Sequence, residues 1–222
     1  MLYRRLKDSL RNIDFINDTV KYIYPPKNRP IIKAPNTDYI FICLHKVGGS
    51  SICKALGLPK RYHTAHEYIK WIGNINWQKV YKFSFVRNPF AKIVSSYNYF
   101  TEQNRCTMGE NPISFENWVK KTYGSEKDPL YYFSEKWFQP QVGWLKDPKG
   151  EISLDKIGKL ENMEMDFAEI CNKIGIEVSI PHINSSKNVD YRTYYNEQTF
   201  DIVKNWHQED LDTFGYNFDN GE

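Results

Sequence analysis

Residues 39–52 read Tyr39-Ile40-Phe41-Ile42-Cys43-Leu44-His45-Lys46-Val47-Gly48-Gly49-Ser50-Ser51-Ile52, and this stretch decides the fold. Its first half is a short continuous apolar run, the pattern of a strand covered on both faces in a parallel sheet. A Gly and Ser cluster follows at once, and residues 51–56 have the look of a helix start. Strand, Gly-rich turn and helix in succession can present backbone N–H groups, two hydroxyls and a helix N-terminus to one anionic group, with Lys46 adding a point charge. The ordinary P-loop places its Lys after the last Gly, in G-x-x-x-x-G-K-[ST]. Here Lys46 precedes Gly48 and Gly49, so no Walker A match exists and an ATP-dependent phosphotransferase is disfavoured. Taken alone, the two glycines serve a plain tight turn equally well.

The next apolar run, residues 80–86, repeats the strand pattern and ends in Arg87-Asn88-Pro89. Pro89 is well placed to open a helix carrying Ile93, Val94 and Tyr97, so two strand-to-helix turns face the same way. Ser95 stands eight residues after Arg87, two turns into that helix, and a guanidinium and a hydroxyl can converge on a second phosphate. Two phosphate sites on adjacent strands suit a nucleotide bearing phosphates at both ends.

Further along, Ser114 is positioned to cap a helix through Trp118, Asp147-Pro148-Lys149-Gly150 forms a turn, Asn162 caps a helix ending at Gly175, and residues 197–206 are helical. Alternating strands and helices predict an α/β fold with a mostly parallel sheet flanked by helices. Toward the N-terminus, Leu2, Leu6, Leu10, Ile13, Ile16 and Val20 form the stripe of an amphipathic helix, and Pro25, Pro26, Pro30 and Pro35 follow as an extended connector. The expected organisation is therefore residues 1–36 as helix and connector and residues 37–222 as one domain. That first helix packs on the body or, through Arg4, Arg5, Lys7 and Arg11, docks on a membrane surface.

The chain has 222 residues, with 30 basic and 27 acidic side chains and a formal net charge of +3, which falls short of the clustered positive charge of a dedicated nucleic-acid binder. Its 41% hydrophobic content excludes a disordered chain, and no apolar run reaches the ~18 residues of a membrane span. Charged residues interrupt the first 20 positions, leaving no secretory apolar segment, so the expected compartment is cytoplasmic. Cys43, Cys53, Cys106 and Cys171 are far apart without a C-x-x-C pair and read as free thiols. No acidic or His cluster has metal-ligand spacing.

The two loops together resemble those of sulfotransferase family 2, the carbohydrate sulfotransferase type. Residues 41–52 are similar to that family's 5′-phosphosulfate loop, and Phe85-Val86-Arg87-Asn88-Pro89-Phe90 with Val94-Ser95-Ser96-Tyr97 to its 3′-phosphate motif. The likeness continues through Pro140-Gln141, Lys159-Leu160-Glu161-Asn162, His182-Ile183-Asn184-Ser185-Ser186 and residues 210–216. It implies a P-loop-like sulfotransferase fold and, as co-substrate, 3′-phosphoadenosine 5′-phosphosulfate. Lys46, Gly48, Gly49, Ser50 and Ser51 would hold its 5′ end, Arg87 and Ser95 its 3′-phosphate, and no metal would take part. His45 departs from the resemblance, standing where many members have Pro.

Sulfuryl transfer needs in-line geometry, a charge on the leaving oxygen and a base for the acceptor hydroxyl. Lys46 suits the leaving oxygen, because its charge lies where negative charge develops. The base is expected to be a His with a near-neutral pKa. His63, in a His-Thr-Ala segment like the family's, is the first candidate. His66, on the same helical face if the helix begins early, is the second, and a capping or surface role is the plain alternative for either. His45, pointing into the turn, and His182 and His207, as structural residues, complete the set. Tyr191 and Arg192, with Ser185, Ser186 and Lys187, form a basic stretch able to close over the nucleotide or to be an ordinary loop. The aromatic-rich region from Tyr131 to Trp144 is core or a platform for sugar rings. The resemblance implies a carbohydrate or glycoconjugate hydroxyl as acceptor. A non-catalytic nucleotide- or glycan-binding protein on the same fold is the alternative from another class.

Overall fold

The computed structural model describes residues 31–103, 108, 112–125, 127–180 and 190–220. The predicted N-terminal helix, Cys106, and His182 with Ser185, Ser186 and Lys187 lie outside these residues. Strands β1 (Tyr39–Ile42), β2 (Tyr81–Val86) and β3 (Lys156–Lys159) form a parallel sheet in the order β1-β2-β3. Tyr39 pairs with Tyr81 on one side of β2, and Phe83 pairs with Lys156 on the other. Apolar runs as continuous as Tyr-Ile-Phe-Ile have nowhere exposed to go, and β1 is buried along its whole length. Because β1 and β2 run parallel, the loops that leave their C-terminal ends emerge side by side, where ligands bind in open α/β sheets.

Helix α1 (Gly49–Ala55) follows β1, α2 (Ala65–Ile72) and α3 (Asn74–Lys79) lead to β2, and α4 (Pro89–Glu102) leaves it. Pro89 opens α4 as its sequence position predicts, and the Asn88 side chain accepts the Phe90 N–H at 2.9 Å to cap it. Helix α5 (Phe115–Tyr123) starts from a Ser114 cap, and the short α6 (Glu135–Phe138) and α7 (Gln141–Leu145) follow. The Gly150 N–H closes the predicted turn on the Asp147 carbonyl at 3.0 Å. After β3, a 3₁₀ turn (Leu160–Asn162) runs into α8 (Met163–Ile174), and a second 3₁₀ turn (Tyr191–Tyr194) precedes α9 (Glu197–Trp206) and α10 (Gln208–Phe214). Two readings change here. Asn162 sits at the start of α8 without a capping hydrogen bond, because the preceding 3₁₀ turn already leads the backbone in. Strand β3, with the sequence Lys-Ile-Gly-Lys, carries no apolar run and was not foreseen.

The core fills both sides of the sheet. Phe83, Phe85 and Ile93 are buried in it, and Trp118, Phe100 and Phe138 join α4 to α5 and α6 in one aromatic cluster. Most of the aromatic-rich region is therefore core. Trp137 is the exception described next.

Candidate active site

The turn after β1 is wound by two left-handed residues, Lys46 at φ 63° and Gly48 at φ 80°. A side chain is costly there for any residue but glycine, so a lysine held in that conformation marks a position the surrounding structure enforces. Neighbouring side chains crowd both glycines as well. A Cβ on Gly48 would lie 2.0 Å from Met163 Cε, and one on Gly49 2.5 Å from Cys43 Sγ. The glycines thus make the turn and let the 3₁₀ corner and the strand end close on it. The Ser51 and Ile52 N–H groups bond back to the Gly48 carbonyl at 3.0 and 3.3 Å. The Gly49 and Ser50 N–H groups that precede them lie ahead of the first intrahelical bonds and point out of the helix start. Ser50 is exposed and accepts a hydrogen bond from Lys60 Nζ, while Ser51 is buried.

Lys46 lies with its ammonium 4.4 Å over the Tyr99 ring. Its pKa is pushed down to about 8, first by burial and then by the charges of Arg87 and Lys60, with Glu102 opposing. The two strand ends therefore bring Lys46 and Arg87 within electrostatic reach, and Lys60 joins them. A buried lysine whose charge two neighbouring cations disfavour is a position that an anion would relieve.

Arg87, one residue past β2, is held by a chain of buried polar groups. Gln141 grips its peptide on both sides, Oε1 accepting the Arg87 N–H at 3.0 Å and Nε2 donating to the Arg87 carbonyl at 2.8 Å. Gln141 is in turn fixed by Asp210, whose carboxylate accepts the Gln141 and Val142 N–H groups at 2.8 Å each and lies 2.9 Å from His207 Nδ1. The next residue is held as firmly. The Asn88 N–H donates to Glu161 at 2.8 Å, Tyr216 donates to the other Glu161 oxygen at 2.8 Å, and Asn88 Nδ2 reaches the Asn217 carbonyl at 2.7 Å. Gln141, Glu161, Asp210 and Tyr216, noted in the sequence only as parts of scattered similar segments, converge on Arg87-Asn88. Ser95 is partly exposed two turns into α4, whereas Ser96 is buried with its hydroxyl on the Lys92 carbonyl at 3.0 Å. Lys92 is itself buried on α4, its pKa pushed down to about 8 by burial against the pull of Asp210.

His63 is 3% exposed just before α2, edge-on to Trp71 at 4.4 Å, with its Nδ1 3.9 Å from Glu67. Burial pushes its pKa down to about 4, Glu67 opposing and Lys136 and Arg61 adding to the fall. It is thus neutral well below the near-neutral value expected, since the aromatic packing outweighs the single carboxylate nearby. His66 is exposed on α2. Helix α2 begins at Ala65, where the Thr64 side chain and Glu67 form a capping box, so His63 precedes the helix and the shared face predicted for the pair does not form. His207 has the structural role expected of it.

His45 is clasped between Tyr62 and Trp137, with ring centroids 3.8 and 3.7 Å away. Its Nδ1 is buried without a partner among the described residues, and burial with Lys92, Lys60, Lys136 and Lys46 holds it neutral. Trp137 also stacks on Tyr99 at 6.1 Å, so this aromatic residue forms a wall of the site. Tyr191 is buried, its hydroxyl donating to the Phe218 carbonyl, and Arg192 is engaged by Asp190 at 2.9 Å and by the Asp219 carbonyl at 2.7 Å. Sequence reasoning missed Lys60, Tyr99 and the Gln141–Asp210 clamp, and had Trp137 only as part of an aromatic-rich region read as core or a platform for sugar rings. No local pattern marks Lys60 or Tyr99, and the clamp is visible only once distant segments are folded together. Among the described residues no group of three or more His, Cys, Asp or Glu could hold a metal, and no helix is long and apolar enough to cross a membrane.

A parallel sheet with a cation-bearing Gly-rich turn at one strand end and a clamped arginine at the next defines an α/β protein with basic groups at neighbouring strand ends. The sequence matches the sulfotransferase family model over residues 36–217, and the chain belongs to that family. A protein of Archaeoglobus fulgidus, itself uncharacterized, is 32% identical over 115 residues, covering 50% of this chain and 81% of the relative. Among solved structures, a sulfotransferase from Alicyclobacillus acidocaldarius aligns at 13% identity and a TM-score of 0.37, over 83% of this chain and 100% of that one. Mouse sulfotransferase SULT7A1, solved in complex with PAP, aligns at 14% identity and a TM-score of 0.38, over 82% and 88%.

Proposed function

We propose that this sulfotransferase-family protein moves a sulfuryl group from 3′-phosphoadenosine 5′-phosphosulfate to a hydroxyl of a carbohydrate or glycoconjugate, in the cytoplasm and without a metal. The observation that carries the reading is the convergence of Lys46 and Arg87 from neighbouring strand ends, with Lys60 from the loop after α1, so that burial first and then the charges of Arg87 and Lys60 lower the Lys46 pKa to about 8. The residues fit the donor. Left-handed Lys46 and Gly48 shape a turn whose amides, with Ser50 and Ser51, bind the 5′ end. Arg87 and Ser95 bind the 3′-phosphate, and Tyr191 and Arg192 border the site from the C-terminal side.

Bound donor supplies the activated sulfuryl group. Lys46 then stabilises charge on the leaving phosphate oxygen, and its ammonium gains when that charge appears. His63, neutral because it is buried, has a lone pair available to take the acceptor proton. His66, exposed on α2, is the second candidate for that role. Trp137 and Tyr99 offer flat apolar surface to a sugar ring.

The deciding experiment is a thermal-shift titration with adenosine 3′,5′-bisphosphate against Mg²⁺ with ATP. A concentration-dependent rise in Tm with the bisphosphate and none with ATP is expected. The reverse result would replace the reading with a phosphotransferase. Binding without turnover on a panel of sugar acceptors would leave a non-catalytic binding protein.

A further inference from the structure

The proposed transfer turns on Lys46, whose backbone is left-handed at φ 63°. A residue with a side chain keeps that conformation only where its surroundings over-determine it. Both flanking residues are buried, His45 at 8% exposure and Val47 at 0%. Val47 is aliphatic core. His45 is a polar ring to which the proposed chemistry gives no task.

The His45 imidazole is held by its faces. Tyr62 stacks on it at 3.8 Å and 25°, Trp137 at 3.7 Å and 27°, and Trp144 meets it edge-on at 5.3 Å. Tyr62 comes from the segment before α2, Trp137 from α6 and Trp144 from α7, so three separate stretches of chain meet on one ring. Trp137 extends the contact toward the lysine. Its ring lies within 9° of parallel to Tyr99 at 6.1 Å, and the Lys46 ammonium stands 4.4 Å from the Tyr99 centroid. One indole therefore ties down Lys46 at both ends, its backbone through His45 and its ammonium through Tyr99. Hydrogen bonding adds nothing at His45 Nδ1, which is buried without a partner among the described residues and so lowers stability. What the fold uses of this side chain is a flat ring of the right thickness.

We propose that His45 is a positioning residue, whose ring, clasped between Tyr62 and Trp137, locks the backbone that aims Lys46 at the leaving oxygen. The target of that aim rests on the donor reading, while the clasp itself does not. Without the ring, a gap opens between Tyr62 and Trp137, and the turn at residue 46 is free to relax toward an ordinary right-handed conformation. The ammonium then leaves Tyr99, and a misplacement of about 1 Å in a reacting group costs on the order of 10²-fold in rate.

The test is a double-mutant cycle on the full chain, read as single-turnover transfer from 3′-phosphoadenosine 5′-phosphosulfate to a sugar that the natural sequence turns over. His45→Ala should lower the rate on the order of 10–10²-fold, with a smaller loss of bisphosphate affinity. In a Lys46→Ala background the same change should cost almost nothing more, because no ammonium is left to aim. His45→Phe, which keeps a ring and removes both nitrogens, should restore the rate. If the larger ring is not accommodated, Tyr62→Ala and Tyr62→Phe put the question from the other face, the first losing rate and the second keeping it. A His45→Ala loss that persists undiminished beside Lys46→Ala, or a folded His45→Phe as slow as His45→Ala, would overturn the proposal. A second readout needs no substrate. In ¹³C-lysine spectra, assigned through Lys46→Ala, the ε-methylene of Lys46 should be shifted upfield by the Tyr99 ring in the natural chain and lose that shift in His45→Ala. An unchanged shift would also overturn the clasp. If the natural chain neither binds the bisphosphate nor transfers sulfate, the donor reading fails, and the spectra still judge the role of His45.

Discussion

The loop after β1 and the loop after β2 hold charge in opposite ways. The first is fixed by close packing and left-handed backbone, with Met163 on Gly48 and Cys43 on Gly49. The second has ordinary side chains, and side-chain hydrogen bonds from three distant segments pin it through Gln141, Glu161 and Asn217. A cradle shaped by packing tolerates almost no change in its own residues. A loop held by clamps is instead vulnerable at positions far from it.

The sharpest way to break this contrast is to remove the charge from each loop. Lys46→Ala should lower kcat by on the order of 10²–10³-fold, with a smaller loss of bisphosphate affinity, as judged by single-turnover rates beside calorimetric binding. Arg87→Ala should mainly weaken bisphosphate binding, by about 1.5–3 kcal/mol for each charge-assisted hydrogen bond lost, and unchanged affinity would refute its assignment. Gly48→Ala should destabilise the protein by about 1–3 kcal/mol in urea unfolding, because the added methyl meets Met163 and the left-handed backbone together. Gln141→Ala should leave Arg87 in place chemically yet cost about 1–3 kcal/mol of stability and weaken bisphosphate binding, whereas acceptor KM stays constant. If instead the first loop absorbed substitutions and the second did not respond to Gln141, the contrast would be wrong.

The mildest perturbation is pH. His63 takes a proton at about 4 when folded, against an ordinary 6.5, so the unfolded chain binds more protons between those values. Its contribution to stability is full above about pH 6.5 and is lost as pH falls toward 4. If His63 is the base, the rate should show no ionisation near 6.5 on the acidic side and should decline toward 4. A pH–rate profile of His63→Ala, with kcat reduced by about 10²–10⁴-fold and that acidic limb gone, would distinguish it from His66.

What could be read in advance follows from the range of the forces involved. Strands β1 and β2, the Pro89 start of α4, the Ser114 cap and the span of α9 are set by residues within one turn or one strand, and they stand where the sequence implies. The Gly-rich cradle and Arg87 are equally local. Strand β3 escaped because Lys156 and Lys159 pair with the sheet through backbone alone, and Gly158 must be small where it lies against Phe85. The relation of His63 to His66 turned on where α2 starts, a matter of one capping box. The clamps were illegible for a different reason. Gln141 lies 54 residues from Arg87, and Asp210 lies 69 from Gln141, and nothing in either neighbourhood announces the partner.

The bonds from Asn88 to Asn217 and from Tyr216 to Glu161 also impose an order on maturation. On a ribosome, β1 and its turn can fold against β2 before residues 216–217 are made, but the neighbouring loop must wait for those residues to emerge.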